Sequence, residues 1–231
     1  EIVNGSFSTF VDNNNVYDTI HHGTTHVEIT GGVIGNHTND GNDLLTSDQI
    51  SGNVYGAGRG EPDEHKEDDW GRVAKSVLSI SGSPTIYGSV YGGGQMANVG
   101  HWLDYTGWYA NGTSATNVNI TGSPTIGTER EFSQAYASTN PTKTLYETIN
   151  DRKMLVHTRT GNVYGSGQGD VKLRPLGEPW DGHPEGFEQG HCGKTFVNIS
   201  GTPIIRGSVF GGPEQGAVWG NTKVEIFGGT I

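Results

Sequence analysis

The chain has 231 residues and a formal net charge of −11, an acidic balance that argues against nucleic acid as a partner, which requires a basic face. Thirty-eight glycines beside 32% hydrophobic residues are too many for an ordinary α/β domain, and no collagen period accompanies them. The single cysteine, Cys192, excludes an internal disulfide framework and a cysteine-based zinc site, and no apolar run approaches the ~18 residues of a membrane-spanning helix.

Reading from the amino end, Glu1-Ile2-Val3-Asn4-Gly5-Ser6-Phe7 introduces a unit that recurs at Glu28-Ile29-Thr30-Gly31-Gly32-Val33-Ile34 and at Glu225 to Ile231. With a polar residue for Glu and a Pro-containing turn one residue longer, it returns at Ile80, Ile120 and Ile199. The Ile-to-Ile spacings are 27, 51, 40, 79 and 27 residues, so a 27-residue minimum carries insertions in three of five turns. Fixed internal periods of this size mark repeat architectures.

Three segments make up each turn. Segment a alternates apolar and polar residues (Val27/Ile29, Leu78/Ile80, Val118/Ile120, Val197/Ile199, Val224/Ile226), the period of a strand with one wet face. Segment b follows a Gly turn, as in Gly82-Ser83-Pro84-Thr85-Ile86, Gly122 to Ile126 and Gly201 to Ile205, where Pro suits a corner before a strand. Segment c is Asn or Ser, then Val, an aromatic and Gly: Asn15-Val16-Tyr17 (with Asp18 for Gly), Asn53 to Gly56, Ser89 to Gly92, Asn162 to Gly165 and Ser208 to Gly211. The glycines after segment c are expected to supply φ > 0 at a sharp corner. With Val54, Val90, Val163 and Val209 facing in, Tyr55, Tyr91, Tyr164 and Phe210 are expected as an external aromatic stripe, although Gly corners can reverse that alternation. Short strands joined by Gly corners predict an all-β chain in which residues 1–231 form a single β-solenoid domain of about five turns. The expected form is a right-handed parallel β-helix.

Function is expected in the insertions, near residues 35–51, 60–74, 96–115, 127–160 and 168–194, because the rod is repetitive and loops carry specificity. In the first, Asn36 to Gly41 resembles the opening of a calcium loop, which makes Asp40, Asp43 and Asp48 candidate ligands and calcium the one metal to entertain. The glutamate of a calcium loop is absent, since Ser47 takes its place, and such turns also form without metal. The second holds the acidic run Glu61 to Asp69, which reads as a solvated, self-repelling loop. In the fourth, Thr128 to Glu131 reads as a capping box opening a short helix that Pro141 closes. All five tryptophans fall in c-to-a connections, among them Trp70, Trp102, Trp108 and Trp180, with Asp104 and Asp181 nearby. Aromatic planes beside carboxylates suit a polysaccharide, and the same tryptophans equally suit an apolar underside for long loops. Glycoside cleavage needs two carboxylates at a set separation, and nothing in the sequence selects a pair. Cys192, in a Gly/His-rich loop, reads as a bystander thiol.

The units Gly52-Asn-Val-Tyr-Gly-Ala-Gly, Gly88-Ser-Val-Tyr-Gly-Gly-Gly and Gly161-Asn-Val-Tyr-Gly-Ser-Gly, alternating with Val-x-Ile-x-Gly-x-Pro-x-Ile, resemble Gly-rich repeat proteins. These are adhesin-like surface proteins of gut bacteria. The resemblance covers the scaffold and not the insertions. It implies a secreted or surface-displayed solenoid with structural or adhesive duty, and it brings no catalytic motif. Two function classes are therefore carried forward: an extracellular structural or adhesive solenoid, and a polysaccharide-binding or polysaccharide-cleaving protein. An ice-binding face is a distant third, because charges interrupt the outward a positions. Glu1–Phe7 and Glu225–Ile231 both read as ordinary a-to-b segments. Their bare edges are expected to meet a neighbouring copy or continuing polypeptide.

Overall fold

The period-2 segments become strands, and the equal phase of every repeat lets them stack in register. The computed structural model describes residues 3–6, 10–12, 15–17, 22–35, 52–60, 71, 73–100, 102–103, 107–108, 115–127, 146–149, 152–155, 161–169, 190–214, 216, 218 and 220–231. Three short strands come first: β1 (Val3–Ser6), β2 (Phe10–Asp12) and β3 (Asn15–Tyr17). Column a is built from β4 (His22–Ile29), β7 (Lys75–Ile80), β12 (Ala115–Ile120), β17 (Thr195–Ile199) and β20 (Thr222–Ile226). These pair in parallel, with Ile29, Ile80, Ile120, Ile199 and Ile226 one above another. Column b holds β5 (Val33–Ile34), β8 (Thr85–Ile86), β13 (Thr125–Ile126) and β18 (Ile204–Ile205), also parallel. Column c holds β6 (Val54–Tyr55), β9 (Val90–Tyr91), β16 (Val163–Tyr164) and β19 (Val209–Phe210), again parallel. The chain is an all-β parallel solenoid; the described residues hold five a strands, four b strands and four c strands, and Thr230 adds a fifth b position by a parallel bridge to Ile204.

The core is what the alternation requires. Leu78, Ile80, Val118, Ile120, Val197 and Ile199 from column a meet Ile86, Ile126 and Ile205 from b and Val54, Val90 and Val163 from c in one buried cluster. Burying each such side chain contributes roughly 1.5–3 kcal/mol relative to leaving it exposed. Pro84, Pro124 and Pro203 stand at the corners before column b, where their carbonyls accept from Thr125 N (2.9 Å), Ile204 N (2.8 Å) and Thr230 N (2.8 Å). A Ser/Thr column, Thr25, Ser76, Thr116, Thr195 and Thr222, begins the a strands. Thr25, Thr116 and Thr195 donate to the carbonyls of Gly56, Gly165 and Gly211, tying the start of column a to the end of column c.

Three expectations are corrected. First, the amino-terminal repeat is not a turn of the coil. Strand β1 pairs antiparallel with β4 (Val3↔Thr24, Ser6↔His22), and the c-type segment β3 forms an antiparallel hairpin with β2. Asp18 stands where the other c segments have Gly, and a Cβ stacked beneath Gly56 would strike a carbonyl, so this copy cannot join the column. Second, the glycines after column c do not supply φ > 0. Positive φ falls instead at Gly82 (66°), Gly122 (73°) and Gly201 (81°), the corners between a and b. Gly56, Gly92 and Gly165 are required for space, since a Cβ on each would collide with the carbonyl oxygen of Gly92, Gly165 and Gly211 respectively. Third, the aromatic stripe points away from the Val/Ile cluster yet is not external at its centre: Tyr91 is 1% exposed and Tyr164 6%.

A fourth stacked station lies before column a, where Val73, Val99, Cys192 and Val218 form parallel bridges in turn. The insertions contribute two hairpins, β10 (Trp102–Leu103) with β11 (Gly107–Trp108) and β14 (Tyr146–Ile149) with β15 (Arg152–Leu155). The helix expected over Thr128–Pro141 lies outside the described residues, among which no helix occurs.

Candidate functional site

The segments that follow column c fold back over its outer face and build a polar cover for the aromatic ladder. Rings of Tyr55, Tyr91, Tyr164 and Phe210 stack with centroids 4.9, 4.9 and 5.0 Å apart and within 11° of parallel. That spacing is the rise between parallel strands, so stacking follows from putting one aromatic at the same register in each rung. The hydroxyl of Tyr55 donates to Gln168 Oε1 (2.6 Å) and that of Tyr91 to Glu214 Oε2 (2.5 Å). Burial, reinforced by the Glu214 carboxylate, pushes the Tyr91 and Tyr164 phenols well above the ordinary value. Both stay protonated, Tyr91 donating to Glu214 and Tyr164 accepting from Asn162. They are not bases.

A second ladder runs beside the rings. Ser89 N donates to Asn53 Oδ1 (2.8 Å), Asn162 N to Ser89 Oγ (3.1 Å), and Ser208 N to Asn162 Oδ1 (2.8 Å). Asn53 and Asn162 also donate through Nδ2 to the hydroxyls of Tyr55 and Tyr164, each at 3.2 Å. Alternation of Asn and Ser thus satisfies backbone donors that would otherwise be stranded at the corner.

Among the described residues, the interior is open at the carboxyl-end face of the coil, and Val27, Ile29 and Ile34 are only partly buried in the first rung. Val197, Ile199 and Ile205 are at most 1% exposed, whereas in the rung beyond them Val224 is 40%, Ile226 48% and Ile231 53% exposed. Phe210, last ring of the aromatic column, is 40% exposed. Outward positions of the inner a rungs are Lys75/Val77/Ser79, Asn117/Asn119 and Phe196/Asn198, while the outer rungs carry His26/Glu28 and the ion pair Lys223–Glu225 at 3.0 Å. Charged side chains on outer rungs are one means by which sheets restrain indiscriminate edge pairing.

Trp70, Trp180, Asp104, Asp181, Asp40, Asp43 and Asp48 lie outside the described residues. Trp102 and Trp108 are brought together as direct register partners across the β10–β11 hairpin. Among the described residues, no three His, Cys, Asp or Glu side chains converge as a metal site. Cys192 is buried in the column otherwise made of valines, donates to the Lys194 carbonyl (2.8 Å), and has its thiol pushed up by burial. The tyrosine cover had no signal in the sequence, because Gln168 and Glu214 come from rungs far along the chain. No family model, curated protein or solved structure matches the chain.

Proposed function

We propose that this chain is a non-catalytic, extracellular structural or adhesive β-solenoid that builds or decorates a surface structure by accepting a further rung on its carboxyl-end face. The observation that carries the reading is the exposure of Val224, Ile226 and Ile231 beside the burial of Val197, Ile199 and Ile205, their equivalents one rung earlier. An unpaired parallel edge with apolar residues on its core side is a template for another strand, and a head-to-tail contact that does not close generates a filament. The rigid register of every column makes such an end specific, since a one-residue slip would turn the apolar set outward. The partner is a neighbouring copy or continuing polypeptide.

The test is concentration-dependent light scattering and electron microscopy on the 231-residue chain. Mass should grow with concentration, and Ile226→Lys, an already exposed position, should suppress growth without lowering the melting temperature. A strictly monomeric chain at every concentration would refute the reading.

The register pairing of Trp102 with Trp108 favours a second reading, polysaccharide binding at the β10–β11 hairpin. A glycan array should then show hits that Trp102→Ala or Trp108→Ala weakens while the fold survives. Loss of folding instead would assign these tryptophans to packing.

A further inference from the structure

We infer that Tyr91 and Glu214 form a one-electron redox site: the stacked tyrosines collect an oxidising equivalent from a soluble oxidant, and Tyr91 holds it as a neutral radical. The inference is independent of assembly and draws only on the interior of column c.

Three phenols share one stack, and a single proton acceptor distinguishes among them. Rings of Tyr55, Tyr91 and Tyr164 lie 4.9 Å apart and within 11° of parallel, close enough to exchange an electron from ring to ring. Tyr55 is half-buried and is the ring a soluble oxidant meets, whereas Tyr91 and Tyr164 are buried. A buried phenol gives up an electron readily only when its proton leaves in the same step, because the cation otherwise left behind is costly away from water. The Tyr91 hydroxyl donates to Glu214 Oε2 at 2.5 Å, the length of a charge-assisted bond, so the acceptor already stands in place. Tyr55 donates to the amide oxygen of Gln168, and among the described residues the Tyr164 hydroxyl meets the amide of Asn162. Neither amide is a base.

Charge makes the same choice. The Glu214 carboxylate bears on all three phenols and favours taking an electron from the stack. The Arg59 guanidinium bears on Tyr55 and disfavours a positive hole resting there. Tyr55 is thus the entrance and Tyr91 the place of rest.

The step balances within the pair. A one-electron oxidant, such as the carbonate radical, takes one electron from the stack and is reduced. The Tyr91 O–H bond breaks, and its proton moves along the hydrogen bond to Glu214 Oε2. A neutral phenoxyl radical then faces a neutral carboxylic acid, whose new O–H donates back to the phenoxyl oxygen, so neither group is orphaned. A soluble one-electron reductant reverses the step as Glu214 returns the proton. Burial of Tyr91 keeps its radical from coupling with a second one. The column is a reversible sink for oxidants.

Flash photolysis with a photo-oxidised ruthenium polypyridyl complex tests this on the whole chain. Transient absorption gives the rate, and electron paramagnetic resonance of freeze-quenched samples identifies the radical. The parent should accumulate a tyrosyl signal that Tyr91→Phe removes; Phe210 in the same column shows that the stack accepts phenylalanine. Glu214→Gln keeps an acceptor for the hydroxyl but no base. It should slow radical formation about a hundredfold, the low end of what a positioned proton acceptor contributes. Gln168→Glu added to Tyr91→Phe should restore the signal, now at Tyr55, because it gives that phenol a carboxylate. Glu214→Gln and Gln168→Glu leave every ring in place, so the test does not depend on Tyr91→Phe folding. A signal unchanged by Tyr91→Phe, equal rates in the parent and Glu214→Gln, or no tyrosyl radical in the parent would overturn the inference.

Discussion

Replacing Gly165 by Ala tests whether the corner glycines are present for space or for backbone freedom. At Gly165 the φ is ordinary, so conformational strain adds nothing, and the change alone should stabilise by ~0.4–1 kcal/mol through the unfolded chain. Against that, the new Cβ meets the Gly211 carbonyl oxygen, backbone that cannot swing aside, and lies 3.1 Å from Thr195 Cβ. Overpacking of this kind costs about 1–3 kcal/mol. The same carbonyl accepts the Thr195 hydroxyl, and losing that hydrogen bond adds about 1 kcal/mol. A net loss of roughly 2–3 kcal/mol follows, a fall in Tm of roughly 5–10 °C for a chain of this size. Gly211→Ala is the control, because its Cβ would meet only Thr222 and Val224 side chains at 3.2 Å in the exposed last rung. It should stay within ~1 kcal/mol of the parent. Urea unfolding of the monomer, followed by circular dichroism, measures both. Equal losses at the two positions, or a gain at Gly165, would refute the steric account.

Ile120→Asp should unfold the rod, since an unpaired charge would replace a fully buried member of the core, while Asn119→Asp on the outward face should leave the melt nearly unchanged. Thermal melts of the pair decide it, and equal damage would refute the assignment of faces. Tyr91 and Tyr164 have phenols raised by burial, so the unfolded chain releases these protons first as pH passes ~10. Their stabilisation is complete below that pH and is lost above it at up to ~1.4 kcal/mol per pH unit per tyrosine. Denaturant unfolding across alkaline pH should show this slope, and Tyr91→Phe with Tyr164→Phe should flatten it. Cys192→Val should change stability by less than ~1.5 kcal/mol, because it restores the valine of its column at the cost of two weak thiol hydrogen bonds, to the Lys194 carbonyl and the Thr116 hydroxyl. A thiol reagent should label the parent only after unfolding, and rapid labelling of the native chain would contradict the burial.

The sequence by itself determined the columns. Which residues face the core is written in a period-2 alternation, and the equal phase of successive repeats sets the register, so Ile29, Ile80, Ile120, Ile199 and Ile226 align as their spacing implied. Proline before column b was legible because its own ring imposes the geometry. Only the tertiary structure decided what depends on a neighbour distant in the chain. Glycine after column c is equally consistent with a turn or with a close approach, and the carbonyl of the next rung decides for the approach. Alternation placed the tyrosines on the outer face, but the cover from Gln168 and Glu214 buries Tyr91. The first repeat carries the strand signature of all the others, and it leaves the coil because stacking is a property of pairs of rungs, which one segment's sequence does not contain.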